Sequence, residues 1–106
     1  MKTKRVVIAY FLKMSVGNEV IDSINKSLNG FNNEPEHPHW DYTGYIARCI
    51  NIKDDEDHHS IINIEILNEA SKIITNEIDD LSEMIQGYLE ESEEIIVDHY
   101  ALAQST

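Results

Sequence analysis

Hydrophobic and polar residues follow one another in patterns that predict four β-strands. Residues 6–12 form a continuous apolar run, which predicts a central strand covered on its helix-facing side and partly on the other. Ile62, Ile64 and Ile66 alternate with polar residues, the period-two pattern of a half-buried strand. Residues 42–52 and 94–102 are also predicted strands. The bulky positions of the 42–52 strand are Tyr45, Ile46, Ile50 and Ile52.

Two other segments carry apolar residues at spacings of three and four, which predicts amphipathic helices. The first stripe consists of Val16, Val20, Ile24, Leu28 and Phe31. We expect Ser15 to cap the N-terminus of this helix. We expect Asn29-Gly30 to end it, because asparagine and glycine both tolerate left-handed backbone angles. The second stripe consists of Ile74, Ile78, Leu81, Met84 or Ile85, and Tyr88, after a cap at Asn68 or Thr75.

The predicted order is therefore strand, helix, strand, strand, helix, strand. Two helices on one face of a four-stranded antiparallel sheet would bury both apolar stripes, which is the ferredoxin-like α+β arrangement. A length of 106 residues fits a single domain over residues 1–106. We expect loops at residues 32–41 and 53–59, and a frayed end at residues 104–106.

Composition narrows the classes of function. Twenty acidic residues against eight basic ones leave a net charge of -12, which argues against autonomous binding to nucleic acid or to an anionic membrane. Cys49 is the only cysteine, so no disulfide framework is expected and a reducing cytoplasm is the predicted compartment. The 6–12 run is too short to cross a bilayer and lacks the cleavage site of a secretory signal.

The negative charge is concentrated in the second half of the chain. Residues 1–53 carry a net charge of +2, whereas residues 54–106 carry -14 with Lys72 as their only basic residue. Helical spacing puts Asp79, Glu83 and Glu90 opposite the second apolar stripe, with Asp80 beside them. Repulsion among these carboxylates lowers stability unless a partner compensates it.

These charges suggest a small inhibitor or immunity-type protein that occludes a basic partner, such as a nuclease toxin or another nucleic-acid-handling protein. The predicted partner-binding residues are Asp54, Asp55, Glu56, Asp57, Asp79, Asp80, Glu83 and Glu90. A phage anti-defence protein that mimics nucleic acid would use the same physics. A different class is a ligand-sensing regulatory domain that dimerises through the open face of its sheet. An acidic surface that only keeps the protein in solution would explain the charge without any partner.

Candidate chemistry is sparse, and we expect neither enzymatic activity nor a cofactor. His37, His39, His58 and His59 suggest a divalent-metal site and a metal-dependent enzyme, but their spacing matches no closed motif. Cys49 lies within a predicted strand, where core packing explains it better than nucleophilic catalysis.

Two charged residues fall on apolar faces. Arg48 shares a predicted strand face with Ile46, Ile50 and Ile52. Glu77 falls on the second helix stripe, so Arg48 and Glu77 could pair beneath that helix. If the helix begins at Thr75, Glu77 instead lies solvated in its first turn.

Overall fold

The computed structural model describes residues 4–33, 45–68, 78–93 and 95–105. A single 3₁₀ turn, Asn18–Val20, precedes the first helix. The main elements in chain order are β1 (Lys4–Leu12), α1 (Ile21–Asn33), β2 (Tyr45–Asp54), β3 (Ser60–Asn68), α2 (Ile78–Glu93) and β4 (Val97–Ser105). Within these ranges the protein is an α+β structure with two α-helices and one four-stranded sheet, and neither helix is long and apolar enough to cross a membrane.

The sheet has the strand order β2-β3-β1-β4, and every neighbouring pair is antiparallel. The prediction that residues 6–12 form a central strand is confirmed, since β1 pairs with β3 on one side and β4 on the other. Ile8 lies opposite Ile64 in β3 and opposite Leu102 in β4. Strands β2 and β4 are the two edges of this sheet.

One face of the sheet and both helices form a shared core. Ile62, Ile64 and Ile66 are fully buried there, as the alternation predicted. They pack in one cluster with Ile24 and Leu28 of α1. The α2 residues of that cluster that are fully buried are Leu81, Ile85 and Leu89, so the second stripe runs through Leu89, which the sequence pattern missed, while Tyr88 is only partly buried.

The predicted ends of α1 are wrong at both sides. Gly17, not Ser15, precedes the first helical turn, and the helix continues through Asn29 and Gly30 to Asn33. A Cβ atom on Gly30 would lie 2.9 Å from Cε1 of Tyr88 in α2. Gly30 therefore allows the two helices to approach closely, and that contact outweighs its local tendency to end a helix.

The predicted face of β2 is wrong at Ile46 and Arg48 and confirmed at Ile52, which packs against the core. Tyr45, Ala47 and Cys49 face the core, whereas Ile46 is 39% exposed. A register shift between Cys49 and Asn51 makes Ile50 the extra residue of a bulge. Small side chains at Ala47 and Cys49 suit this face because α1 packs against β2, and the backbone N–H of Cys49 donates to Oδ1 of Asn25 in α1 at 2.8 Å.

The remaining boundaries differ in smaller ways. Strand β4 extends to Ser105 because Gln104 and Ser105 pair with Val7 and Val6, so the predicted fraying at residues 104 and 105 is wrong. Asn68 pairs within the sheet, opposite Lys4 and Tyr45, and the residues that would follow it in a capped helix lie outside the described ranges. The predicted loop over residues 34–41, Ile74 of the second stripe and the alternative cap at Thr75 lie outside the described residues.

Replacing Ile64 with alanine tests the register of the core. Ile64 is fully buried between the central strands and the helices, so Ile64→Ala should lower the free energy of unfolding by about 2–5 kcal/mol. The same replacement at Ile46, which is 39% exposed, should cost about 1 kcal/mol or less. Chemical denaturation measures both. Equal losses at the two positions would mean that the strand faces are assigned wrongly.

Candidate functional site

The solvent-facing side of α2 carries the acidic residues that the sequence pattern predicted opposite the second apolar stripe. Burial of Leu81, Ile85 and Leu89 against the sheet turns the opposite side of the helix toward solvent. The side chains of Asp79, Asp80, Glu83 and Glu90 are all exposed there, as helical spacing predicted; we call these four the helix carboxylates. In the described part of the chain, none of them forms an ion pair with a basic side chain.

Tyr100 of β4 lies beside the helix carboxylates. Burial raises the pKa of the Tyr100 hydroxyl, and the negative charges of Asp79 and Glu83 raise it further. The nearby charge of Asp80 acts in the same direction. Tyr100 thus provides an aromatic surface and a hydrogen-bonding group next to a concentration of negative charge.

An open groove separates α2 from β4 at this point. Its volume is about 380 Å³, and Glu83, Gln86, Gly87, Glu90 and Tyr100 line it. No Cβ atom at Gly87 would meet another atom within 4 Å, so the absence of a side chain there widens the groove. Two carboxylates, an amide and a phenol make this groove suited to cationic or hydrogen-bonding groups.

Tyr100 and Gln86 were not predicted as site residues. Tyr100 lies opposite Tyr10 in β1, and the two rings are tilted by 45° with centroids 6.0 Å apart. The hydroxyl of buried Tyr10 donates to the backbone oxygen of Ser82 at 2.7 Å, which ties β1 to α2. No local sequence signal identifies these residues, because their position beside the carboxylates depends on where α2 crosses the sheet.

The carboxylates of the β2–β3 turn have a different environment. Oδ1 of Asp55 accepts hydrogen bonds from the backbone N–H groups of Asp57 and His59, both at 2.9 Å. His58 has a φ of 64°, the left-handed conformation that such a turn requires. The single hydroxyl hydrogen of Ser60 is shared between the backbone oxygen of Val16, at 3.0 Å, and Oδ1 of Asp54, at 3.2 Å. Asp54 and Asp55 therefore help to build the turn.

The predicted acidic site is therefore divided between two places. Glu56 and Asp57 are exposed at the turn between β2 and β3, whereas the helix carboxylates lie beside β4 at the opposite edge of the sheet. Among the described residues, no hydrogen bond or ion pair connects the two groups. Asp79, Asp80 and Glu83 lie close enough to Tyr100 for their charges to raise the pKa of its hydroxyl.

The sheet face away from the helices contains a separate charged cluster. Glu65 is only 5% exposed at the centre of that face. Its carboxylate accepts a hydrogen bond from Nε of Arg5 at 2.5 Å and another from Nε of Arg48 at 2.9 Å. Burial raises the pKa of the Glu65 carboxyl, but the two arginines outweigh burial and hold that pKa below its ordinary value of 4.5.

The predicted pairing of Arg48 beneath the second helix is wrong. Arg48 points away from the helices because β2 has the opposite face assignment, and its partner is Glu65. Glu77 lies outside the described residues. Arg48 and Glu65 occupy opposing positions in the β2–β3 pair, where opposite charges stabilise a sheet. Recognising this pair requires the strand register, which the sequence pattern did not supply.

The histidines do not come together as a metal site in the part of the chain that is described. There, no three side chains of the ligating types His, Cys, Asp and Glu are grouped closely enough to hold a metal ion. His58 and His59 are exposed in the turn. His37 and His39 lie outside the described residues.

The remaining histidine and the cysteine have ordinary packing roles. The His99 ring stacks on Phe11 with centroids 4.4 Å apart, and its hydrogen bond to Asp98 lowers the pKa of that carboxyl. Cys49 is buried, and burial raises the pKa of its thiol to about 11 despite a hydrogen bond to the backbone of Asn51. A thiol with that pKa is a poor nucleophile at neutral pH.

Comparisons with known proteins give no information on this site. No protein-family model, no curated protein and no solved structure matches this chain.

The Glu65 cluster predicts a specific pH dependence of stability. Glu65→Gln should lower the free energy of unfolding at pH 7 by about 1–3 kcal/mol, because charge-assisted hydrogen bonds from two arginines are lost. The folded-state pKa of Glu65 is depressed, so this contribution is present above its unfolded value of about 4.5 and disappears as the pH falls through the folded value.

Urea denaturation of wild type and Glu65→Gln between pH 7 and pH 3 measures this effect. The difference between the two proteins should shrink as the pH falls below about 4.5. Glu83→Gln, which alters an exposed carboxylate, is the control and should show no such loss at neutral pH. A gap between wild type and Glu65→Gln that is constant with pH would contradict the charged cluster.

Proposed function

We propose that this protein is a small acidic inhibitor, of the immunity type, that binds and occludes a basic protein partner. The observation that carries the proposal is the row of helix carboxylates, which are exposed along α2 and have no ion-pair partner in the described residues. Such a surface lowers the stability of the free monomer and gains favourable energy when cationic groups approach it. A nuclease toxin or another nucleic-acid-handling protein has a cationic groove of the required kind.

The mechanism is occlusion of the partner's phosphate-binding groove. Lys and Arg side chains that normally contact phosphates would instead face Asp79, Glu83 and Glu90, and the Tyr100 ring would add an aromatic contact at the centre. Glu56 and Asp57 at the β2–β3 turn contribute long-range attraction. Asp54 and Asp55 are less available because they bond within the turn.

Several further assignments belong to the same proposal. The strand order and antiparallel pairing support a ferredoxin-like fold. A cytoplasmic location fits a chain with one cysteine, which is buried. The protein acts by binding and not by catalysis, and it needs no cofactor for this role. An anti-defence protein that mimics nucleic acid would present the same carboxylates to a basic enzyme and remains the nearest alternative.

A regulatory domain that dimerises is a second candidate, and the open sheet face favours it. Phe11, Ile61 and Leu67 are half-buried on that face, and Ile46 is 39% exposed. A second copy of the chain could cover these residues and the Arg5–Glu65–Arg48 cluster together. Light scattering separates the candidates, because the inhibitor is expected to be monomeric before it meets its partner and the regulatory domain dimeric.

Reversal of the helix charges tests the inhibitor proposal. Asp79→Lys, Glu83→Lys and Glu90→Lys together should weaken partner binding by about a hundredfold, with most of the loss in the association rate. The wild-type association rate should fall by about tenfold or more between low and moderate salt, because ions screen the attraction between exposed charges. The first proteins to test are the products of the neighbouring genes, since an immunity protein is normally encoded beside its toxin.

A matched variant separates local from overall charge. Glu19→Lys with Asp22→Lys changes the net charge as much as Glu83→Lys with Glu90→Lys does, but at exposed positions outside α2. This control should slow association much less than that double variant of α2, while circular dichroism shows that both variants remain folded. If binding is indifferent to salt and to the helix reversals, the acidic surface does not hold the partner.

A further inference from the structure

The two edges of the sheet are protected in different ways. At β2, the Asn25 side chain of α1 accepts the Cys49 N–H, and a bulge at Ile50 interrupts the regular strand. Arg48 and Lys53 add charges at this edge. These are the devices that natural sheets use to prevent further strands from pairing with an edge.

The β4 edge has register shifts as well, but it carries less charge than β2, and among the described residues no helix side chain accepts one of its backbone N–H groups. From His99 to Leu102 it pairs regularly with β1, and register shifts occur only at the two ends of this stretch. Among the described strands, β1 is the only one that pairs with β4. Ala101, Leu102 and Ala103 are exposed, with Leu102 at 49%, and Asp98 is the only charged residue of the strand. The outward N–H and C=O groups of this strand are available to another strand.

The groove and its charge indicate what kind of strand would fit. Side chains alternate across a strand, so Tyr100 and Leu102 share the helix-facing side of β4. A fifth strand beside β4 would place every second side chain on that same side, next to the groove lined by Glu83, Glu90 and Tyr100. Cationic side chains at those positions would face carboxylates, and small apolar ones would lie beside Ala101 on the other side.

We infer that the basic partner docks by adding an extended segment to the β4 edge, with Lys or Arg at alternate positions directed toward α2. The inference rests on the proposed function and specifies how the partner is held: backbone hydrogen bonds supply the pairing and the helix carboxylates select the charge. A second copy of this chain is disfavoured as the occupant, because β4–β4 pairing would bring two sets of helix carboxylates to one seam.

Synthetic peptides test this inference without the natural partner. The probe is an octapeptide of four Lys-Val repeats. Its matched control carries N-methyl groups on its four central residues, which prevents backbone pairing along both sides of the extended peptide without changing its charge. The probe should bind at least tenfold more tightly than the control and should slow hydrogen exchange of outward-facing amides in β4. Glu83→Lys with Glu90→Lys should weaken binding of the probe, whereas Glu19→Lys with Asp22→Lys, at exposed positions outside α2, should do so much less.

Each other outcome overturns strand addition. Equal, salt-sensitive binding of both peptides would show an acidic surface used without strand pairing, which leaves the proposed function intact. No binding of the probe would also reject the inference, and the proposed function would then be judged by the association-rate experiment alone. A dimeric free protein with protected β4 amides would identify the occupant of the edge as a second copy.

Discussion

The close approach of α2 to α1 at Gly30 is the contact on which the arrangement of the site depends. Because Gly30 has no side chain, Tyr88 of α2 fits against the α1 backbone, and its ring also meets Phe31 edge-on with centroids 6.4 Å apart. Helix α1 in turn packs against β2. Two helices held together in this way cover the β2 side of the sheet well and leave part of β4 uncovered, which accounts for both the groove at Tyr100 and the exposure of Leu102.

The same arrangement segregates charge. The central strands need the apolar side of α2, so its carboxylates face solvent beside the uncovered edge. On the opposite face of the sheet, Glu65 is compensated by two arginines and contributes to the fold. Acidic side chains therefore have two separate roles: one is neutralised inside the structure, whereas those along α2 remain available to a partner.

Sequence patterns predicted the elements that depend on periodicity and missed those that depend on tertiary contact. The alternation of Ile62, Ile64 and Ile66 identified the buried face of β3 because a strand has only two sides. The bulge at Ile50 puts Ile52 on the same face as Tyr45, Ala47 and Cys49, so strict alternation from Ile52 back along β2 assigned Ile46 and Arg48 to the wrong face. Asn29 and Gly30 form a good local stop signal that packing against α2 outweighs.

The candidate site was predictable in part for the same reason. Helical spacing identified Asp79, Glu83 and Glu90 as solvent-facing without knowledge of the fold. It could not separate them from Asp54 and Asp55, whose bonds within the turn become visible only in three dimensions. Nor could it join Tyr100 to the helix carboxylates, because that contact spans two elements.

The central claim is that the carboxylates of α2 repel one another without compensation in the free monomer. The most direct measurement is the free energy of unfolding of wild type and of Glu83→Gln with Glu90→Gln, from about 0.02 M to about 0.2 M salt. Both positions lie beyond the first described turn of α2, where a carboxylate would interact favourably with the helix dipole. The amide oxygen introduced by Glu90→Gln can still accept the hydrogen bond that Gln86 donates to Glu90. The variant should be more stable than wild type by about 0.5 kcal/mol at low salt, and the gap should close as salt rises. A variant that is no more stable than wild type at low salt would contradict the account.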